Sequence, residues 1–181
     1  MKLPGVAQLI HLKAADSTQA VARLLAEEGA PHGSLVWADQ QTSGRGRLDR
    51  RWASGPGGLY FSLLLRPDGS PRDLVKVNLA AAQAAVQTLL ACGVKARIKP
   101  PNDVIGSSGR RSGKVCGILA EASGGAHRVD WMILGVGINV NNDVRAIPKA
   151  ASLKSLTGRA WSKAHVLRLF LENFKPRQEG S

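Results

Sequence analysis

The segment from residue 73 to residue 92 constrains the fold most. It is rich in alanine and leucine, opens on the acidic capping residue Asp73 and stops at Gly93, a pattern that predicts a long, largely buried helix. Around it lie short apolar runs. Residues 34–38 and 59–65 are free of breakers and read as buried strands, with the polar stretch 39–51 linking them. Residues 96–99 read as a strand that stops at Pro100-Pro101, because proline donates no backbone hydrogen bond and pushes the residue before it towards extended geometry. Asn102 and Asp103 are then expected where that strand ends.

Residues 114–122 and 127–136 are apolar runs joined by Ser123-Gly124-Gly125-Ala126, which predicts an antiparallel hairpin with Gly135 and Gly137 at its far end. Two further helices are expected. Residues 16–29 open on Asp16-Ser17-Thr18 and close on Gly29, and residues 162–174 carry apolar positions at helical spacing, with Trp161 placed to staple against Val166. Residues 139–151 read as irregular. Strands and helices interleave without strict alternation, so the predicted class is α+β, a mixed and mainly antiparallel sheet covered by helices.

With 181 residues, 44% of them hydrophobic, one core and one domain over residues 1–181 are expected. Residues 1–12 mix Pro4, Gln8 and His11 among apolar positions and lack the run that a signal peptide or membrane span needs, so a soluble, cytoplasmic protein is expected. Cys92 and Cys116 lie in apolar stretches without metal-ligand spacing and read as buried thiols. None of the four histidines falls in a recognisable motif, and no catalytic triad is visible.

The formal net charge of +12 calls for an anionic partner: nucleic acid, a polyphosphate or an acidic protein. Arg45, Arg47, Arg50 and Arg51 share one glycine-rich stretch, and Arg110, Arg111 and Lys114 another, so cations gather on loops as at a local anion site. The most informative segment is Gln41-Thr42-Ser43-Gly44-Arg45-Gly46-Arg47-Leu48-Asp49-Arg50-Arg51-Trp52. Its glycines let backbone amides approach an anion, and its guanidinium forks suit phosphate and carboxylate. A solvated basic loop or a nucleic-acid-binding arm reads the same residues differently.

The loop, with Gln-Thr before Gly-Arg-Gly-Arg and Trp52 five residues after it, resembles the ligand-binding loop of biotin protein ligases. Four more motifs follow that family's order: Asp16-Ser17-Thr18-Gln19, Lys99-Pro100-Pro101-Asn102-Asp103, Lys114-Val115-Cys116-Gly117-Ile118-Leu119 and Gly135-Val136-Gly137-Ile138-Asn139-Val140-Asn141. The resemblance implies the fold of the biotin/lipoate ligase catalytic domain, which is like that of class II aminoacyl-tRNA synthetases. It implies an ATP-dependent, AMP-forming ligase that makes biotinyl-5′-AMP from biotin and MgATP, then transfers biotin to a lysine of a biotin carboxyl carrier domain.

The site residues implied are Ser17, Thr18, Gln41, Gly44, Arg45, Arg47, Lys114 and Gly117 for biotin. For ATP they are Arg47, Trp52, Asn102, Lys114 and Asn139, with Trp52 covering the base and Asn139 reading the adenine edge. Arg45, Arg47, Lys114 and Asp103 are the implied catalytic residues, and Asp103 the implied ligand of Mg²⁺. Hydroxyl and amide side chains suit a urea, which offers one acceptor and two donors. Cations suit a carboxylate and a phosphate forced together. Ser17 and Thr18 also read as simple helix caps. Asp103 also reads as part of an Asn-Asp turn.

Three departures from the family pattern stand out. Pro100 replaces the usual tryptophan, which changes the expected pocket wall. Leu48 and Asp49 replace a basic residue and a glycine, so altered loop ordering is expected with function retained. Too few residues precede the first motif for a helix-turn-helix, so no N-terminal DNA-binding domain is expected. The small C-terminal β-barrel of many bacterial relatives is expected to be absent or truncated. Binding to DNA or a membrane is not expected, and a homodimer is left open. The rival readings are a lipoate or octanoate ligase or transferase of the same fold, and a non-catalytic basic nucleic-acid-binding module.

Overall fold

The long apolar segment forms helix α2 (Asp73–Ala91), and everything else is arranged around the sheet it packs on. The computed structural model describes residues 2–48, 50–67, 73–125 and 128–175. By length and composition α2 could cross a membrane, yet Val77, Ala81, Ala84, Ala85, Thr88 and Leu89 are buried against the body of the protein. Alanine at these positions lets the helix axis approach the sheet closely.

The chain runs β1 (Gln8–Leu12), α1 (Thr18–Glu27), β2 (Ser34–Ala38), β3 (Leu59–Leu65), α2, β4 (Lys95–Lys99), β5 (Asp103–Ser108), β6 (Arg111–Gly124), β7 (Val129–Ile138), α3 (Leu153–Thr157) and α4 (Lys163–Asn173). All seven strands join one sheet in the order β1-β2-β3-β7-β6-β5-β4. Only β1 and β2 are parallel. The expected mixed, mainly antiparallel sheet with helical cover is therefore the observed class.

Side-chain alternation divides the cover between two faces. On one, Leu35, Leu63, Leu134, Val136 and Ile118 meet α2, α3 and α4 in the main core. On the other, Val36, Leu64 and Ile133 pack beneath Ala22 and Ala26 of α1. Helix α1 is short and lies mainly over β2, β3 and β7, with Gln19 and Arg23 reaching Glu121 of β6, and it leaves the rest of that face open. This asymmetry positions the site.

Several sequence expectations are corrected. Asp103 does not simply end a strand: it opens β5, which pairs antiparallel with β4 in a hairpin. Gly135 and Gly137 lie inside β7, and the hairpin strands extend beyond their expected ends to Arg111 and Ile138. Ala126, expected in its turn, and His127, expected to open its second strand, lie outside the described residues. Ser17 holds the N-cap position of α1, but its hydroxyl makes no cap hydrogen bond. Trp161 packs against the core cluster that contains Val166, and its indole donates to Thr157 Oγ1 at 2.9 Å.

Both cysteines are free and buried, as expected. Burial pushes the Cys92 thiol up to about 11 and the Cys116 thiol up to about 12, so both stay protonated near neutral pH. A maleimide at pH 7.5 is expected to label neither thiol in the folded protein and both in denaturant. Rapid labelling of the folded protein, read by mass spectrometry, would contradict this packing.

Candidate functional site

Residues directly opposed in an antiparallel ladder point to the same face. The register thus lines up Ser62, Gly135, Leu119, and then Gly137, Gly117, Asp103 and Lys99, on the face that α1 leaves open. These residues floor a cleft of about 440 Å³, closed on one side by the start of α1 and roofed by the glycine-arginine loop.

The α1 side is polar. Gln41 Oε1 accepts from the Thr18 backbone N–H at 2.8 Å and from its hydroxyl at 3.1 Å, so a loop residue satisfies an amide that a helix start leaves without an intrahelical partner. Ser17 lines the cleft at the N-cap of α1 without a cap hydrogen bond. Gln41 Nε2 donates to Ser54 Oγ at 2.8 Å. Beneath Thr18, the Ser62 hydroxyl lies 2.9 Å from Thr18 Oγ1 and 3.0 Å from Gln19 Oε1. Gln19 Nε2 donates in turn to the Ile133 carbonyl at 3.2 Å. Ser17, Thr18, Gln19 and Ser62 are all buried, so this cluster is a fixed set of polar groups at a dry wall.

The loop is a small hairpin of its own. Arg45 and Arg51 pair as an antiparallel bridge, the Gly46 N–H donates to the Arg50 carbonyl at 2.7 Å, and the Trp52 N–H donates to the Gly44 carbonyl at 2.9 Å. Leu48 takes φ 54° near the tip, a left-handed conformation that glycine holds at lower cost. Arg45, Arg47 and Arg50 are exposed around the cleft mouth.

Trp52 folds back from the loop onto the floor. A β-carbon at Gly117 would lie 2.7 Å from its ring, and one at Gly137 2.4 Å from Nε1, so both glycines are needed to seat a flat aromatic group. The buried indole Nε1 has no hydrogen-bond partner. Lys114 Nζ sits 5.1 Å from the ring centroid and 2.6 Å from Asp103 Oδ1.

A β-bulge aims Lys114. The β5–β6 register shifts between Val104 and Ile105, so Val115 and Cys116 both turn into the core while Lys114 opposes Ile105 on the cleft face. Its backbone is held from both sides, the N–H donating to Lys149 and the carbonyl accepting from Ala151.

The structure thus gathers Ser17, Thr18, Gln41, Arg45, Arg47, Trp52, Asn102, Asp103, Lys114 and Gly117 around one cleft. Two expected residues are not there. Gly44 is buried behind the loop, where a β-carbon would strike Ser54 Oγ and the Trp52 carbonyl. Asn139 is buried beneath the floor, its amide donating to the Lys114 carbonyl at 3.3 Å and accepting from Asn142 at 2.9 Å. Asn102 reaches the cleft, but its side-chain amide donates to the Ile118 carbonyl.

Sequence reasoning missed Gln19, Ser62 and Lys99. Ser62 carried a signal, being the one serine in an otherwise aliphatic and aromatic buried strand. Among the described histidines, none lines the cleft.

Replacing Gly137 with valine should evict Trp52 from its seat. The expected readout is a red-shifted tryptophan emission with greater acrylamide quenching, both reduced when Trp52→Phe is added. Unchanged emission would contradict the seat.

Residues 12–139 match the model of the biotin/lipoate A/B protein ligase family. The chain is 40% identical over 176 residues to the bifunctional ligase/repressor BirA of Bacillus subtilis, covering 93% of this chain and 53% of that protein. It is 37% identical to the biotin–[acetyl-CoA-carboxylase] ligase of Paracoccus denitrificans, covering 88% and 68%. The chain therefore spans about half the length of its Bacillus relatives. The biotin protein ligase of Aquifex aeolicus in complex with biotin and ATP superposes with a TM-score of 0.74 at 35% identity, over 93% of this chain and 68% of that one. The Leishmania major enzyme in complex with biotinyl-5-AMP shares the fold, with a TM-score of 0.72 at 21% identity over 93% and 73%.

Proposed function

The chain belongs to the biotin/lipoate A/B protein ligase family, and on that premise we propose that it is the catalytic domain of a biotin protein ligase. The observation that carries the proposal is the meeting, in one cleft, of a buried polar wall and three cations, Arg45, Arg47 and Lys114. Biotin has the matching shape: a urea at one end and a carboxylate at the other.

Ser17, Thr18 and Gln41, with loop backbone, receive the ureido ring, and Gly117 lets the ligand approach the floor. The carboxylate oxygen attacks the α-phosphorus of ATP, the bond to pyrophosphate breaks, and biotinyl-5′-AMP forms. The lysine amine of a biotin carboxyl carrier domain then attacks the acyl carbon and releases AMP. No enzyme nucleophile is needed, because the substrate carboxylate is itself the attacking group. What the protein supplies is charge at the right place: Arg45, Arg47 and Lys114 offset the repulsion between two anions in a partly dry site.

The donor set fits Mg²⁺ carried by the nucleotide. Such an ion takes one or two carboxylates plus phosphate oxygens, and Asp103 provides a carboxylate on the cleft wall. The metal would neutralise phosphate charge while Lys114 exchanges Asp103 for a phosphate oxygen. Trp52 covers the adenine once it leaves its resting seat, and Asn102 shapes the wall beside the base. We assign Asn139 to holding the Lys114 backbone, because its amide is already engaged there. A cytoplasmic setting suits two reduced, buried thiols.

Lipoate offers an apolar dithiolane in place of the urea, with no donor or acceptor for the polar groups of Ser17 and Gln41 that line the α1 wall. Exchange of labelled pyrophosphate into ATP should therefore depend on biotin and gain nothing from lipoate. In Lys114→Ala the exchange is expected to fall about a hundredfold or more. Biotin-independent exchange, or a near-normal rate in that variant, would overturn the assignment.

The loop is proposed to close over the adenylate and keep water from the anhydride. Trypsin cleavage between Arg45 and Arg51 should slow when biotin and MgATP are both present. Equal cutting rates with and without ligands would contradict closure.

A further inference from the structure

The open face of the sheet does not end at the cleft. Strand β4 is its edge, and Lys95, Arg97 and Lys99 alternate with Ala96 and Ile98. Ala96 and Ile98 turn to the main core. The three cations therefore share the other face, and all three are exposed. Lys99 opposes Asp103 and lines the cleft, while Arg97 opposes Ile105 and Lys95 opposes Ser107. The row thus starts at the cleft wall and leads away from it for roughly 13 Å, at the usual rise per strand residue.

Among the described residues, nothing answers this charge. Strands β4 and β5 carry a single acid, Asp103, and Lys114 holds it at 2.6 Å. Among the described residues, Lys95, Arg97 and Lys99 make no ion pair. Helix α1 covers β2, β3 and β7, and α2 and α3 lie on the opposite side of β5, so no helix shields the row. A nucleotide in the cleft meets the loop arginines, Lys99 and Lys114, whereas Lys95 and Arg97 do not line it.

We propose that Lys95 and Arg97 form a docking surface for an acidic face of the acceptor domain that presents its lysine to the cleft. This rests on the ligase reading above and names how its protein partner is chosen. An acceptor must insert one neutral amine while its bulk stays outside, and the strip of protein beside the cleft mouth is what that bulk meets. Charges at such a rim raise the encounter rate and set the approach more than they tighten the final complex, and salt screens them.

The test uses the full chain and, as acceptor, a purified acetyl-CoA carboxylase biotin carboxyl carrier domain of net negative charge. In Lys95→Glu/Arg97→Glu, biotin-dependent pyrophosphate exchange is expected to stay within about twofold of the unsubstituted protein. Transfer to the acceptor should fall at least about tenfold in kcat/KM at low salt, through KM, with the gap narrowing as salt rises. The neutral variant Lys95→Gln/Arg97→Gln should fall between the two, which separates charge from misfolding. Discharge of the adenylate by hydroxylamine, a small acceptor, should be unaffected.

Unchanged transfer to the carrier domain in the charge-reversed variant, with exchange intact, overturns the proposal. So does binding of duplex DNA that the reversal abolishes while transfer stays normal. Absence of biotin-dependent exchange in the unsubstituted protein would instead remove the ligase reading itself, so the two failures are distinguishable.

Discussion

The hydrogen bond from the Thr18 backbone to the Gln41 side chain joins the two parts of the molecule that the site requires. One part is rigid: the start of α1, anchored by Gln19 on the Ile133 carbonyl and standing over Ser62 of the sheet. The other is the glycine-arginine loop, held at its root by Gln41 and by the Thr42 and Ser43 amides, which donate to Ala15 and Asp16. Ser17 at the N-cap makes no cap hydrogen bond, so its hydroxyl is free for a ligand. A capping residue would ordinarily spend that hydroxyl on the helix, where it is worth about 1 kcal/mol.

At the other end of the cleft the controlling feature is the bulge in β6. Without the extra residue at Val115, strand alternation would send Lys114 into the core, where an unpaired ammonium is not tolerated. With it, the ammonium faces the cleft, resting against Asp103 and beside the Trp52 ring. Gly117 and Gly137 complete the design by holding the floor open to a flat group. The same device serves rest and work: Trp52 and Asp103 are the resting neighbours of a cation that the proposed chemistry needs for phosphate.

Much of this was legible in the chain. The apolar runs of β2 and β3 and the alanine-rich α2 were recognisable because burial on both faces leaves an uninterrupted apolar pattern. β1 was not, because it is an exposed edge strand whose residues Gln8 to Leu12 show no clean alternation. β5 was hidden by its glycine and serines, and five-residue α3 is too short for helical periodicity. The motifs located the site residues on the correct elements, but not their orientation. A bulge is a matter of register between two strands, and neither strand's sequence announces it. Asn139 shows the same limit: its motif lies at the site, while packing turns its amide under the floor to brace Lys114.

The most direct measurement is calorimetric titration of biotin into the unsubstituted protein and Gln41→Ala, with far-ultraviolet circular dichroism to establish that both are folded. If Gln41 both braces α1 and meets the urea, affinity should drop roughly ten- to a hundredfold, the range expected when a buried polar partner is removed. Equal affinity in the two proteins would show that the wall built by Gln41, Thr18 and Ser62 is not where the vitamin is recognised.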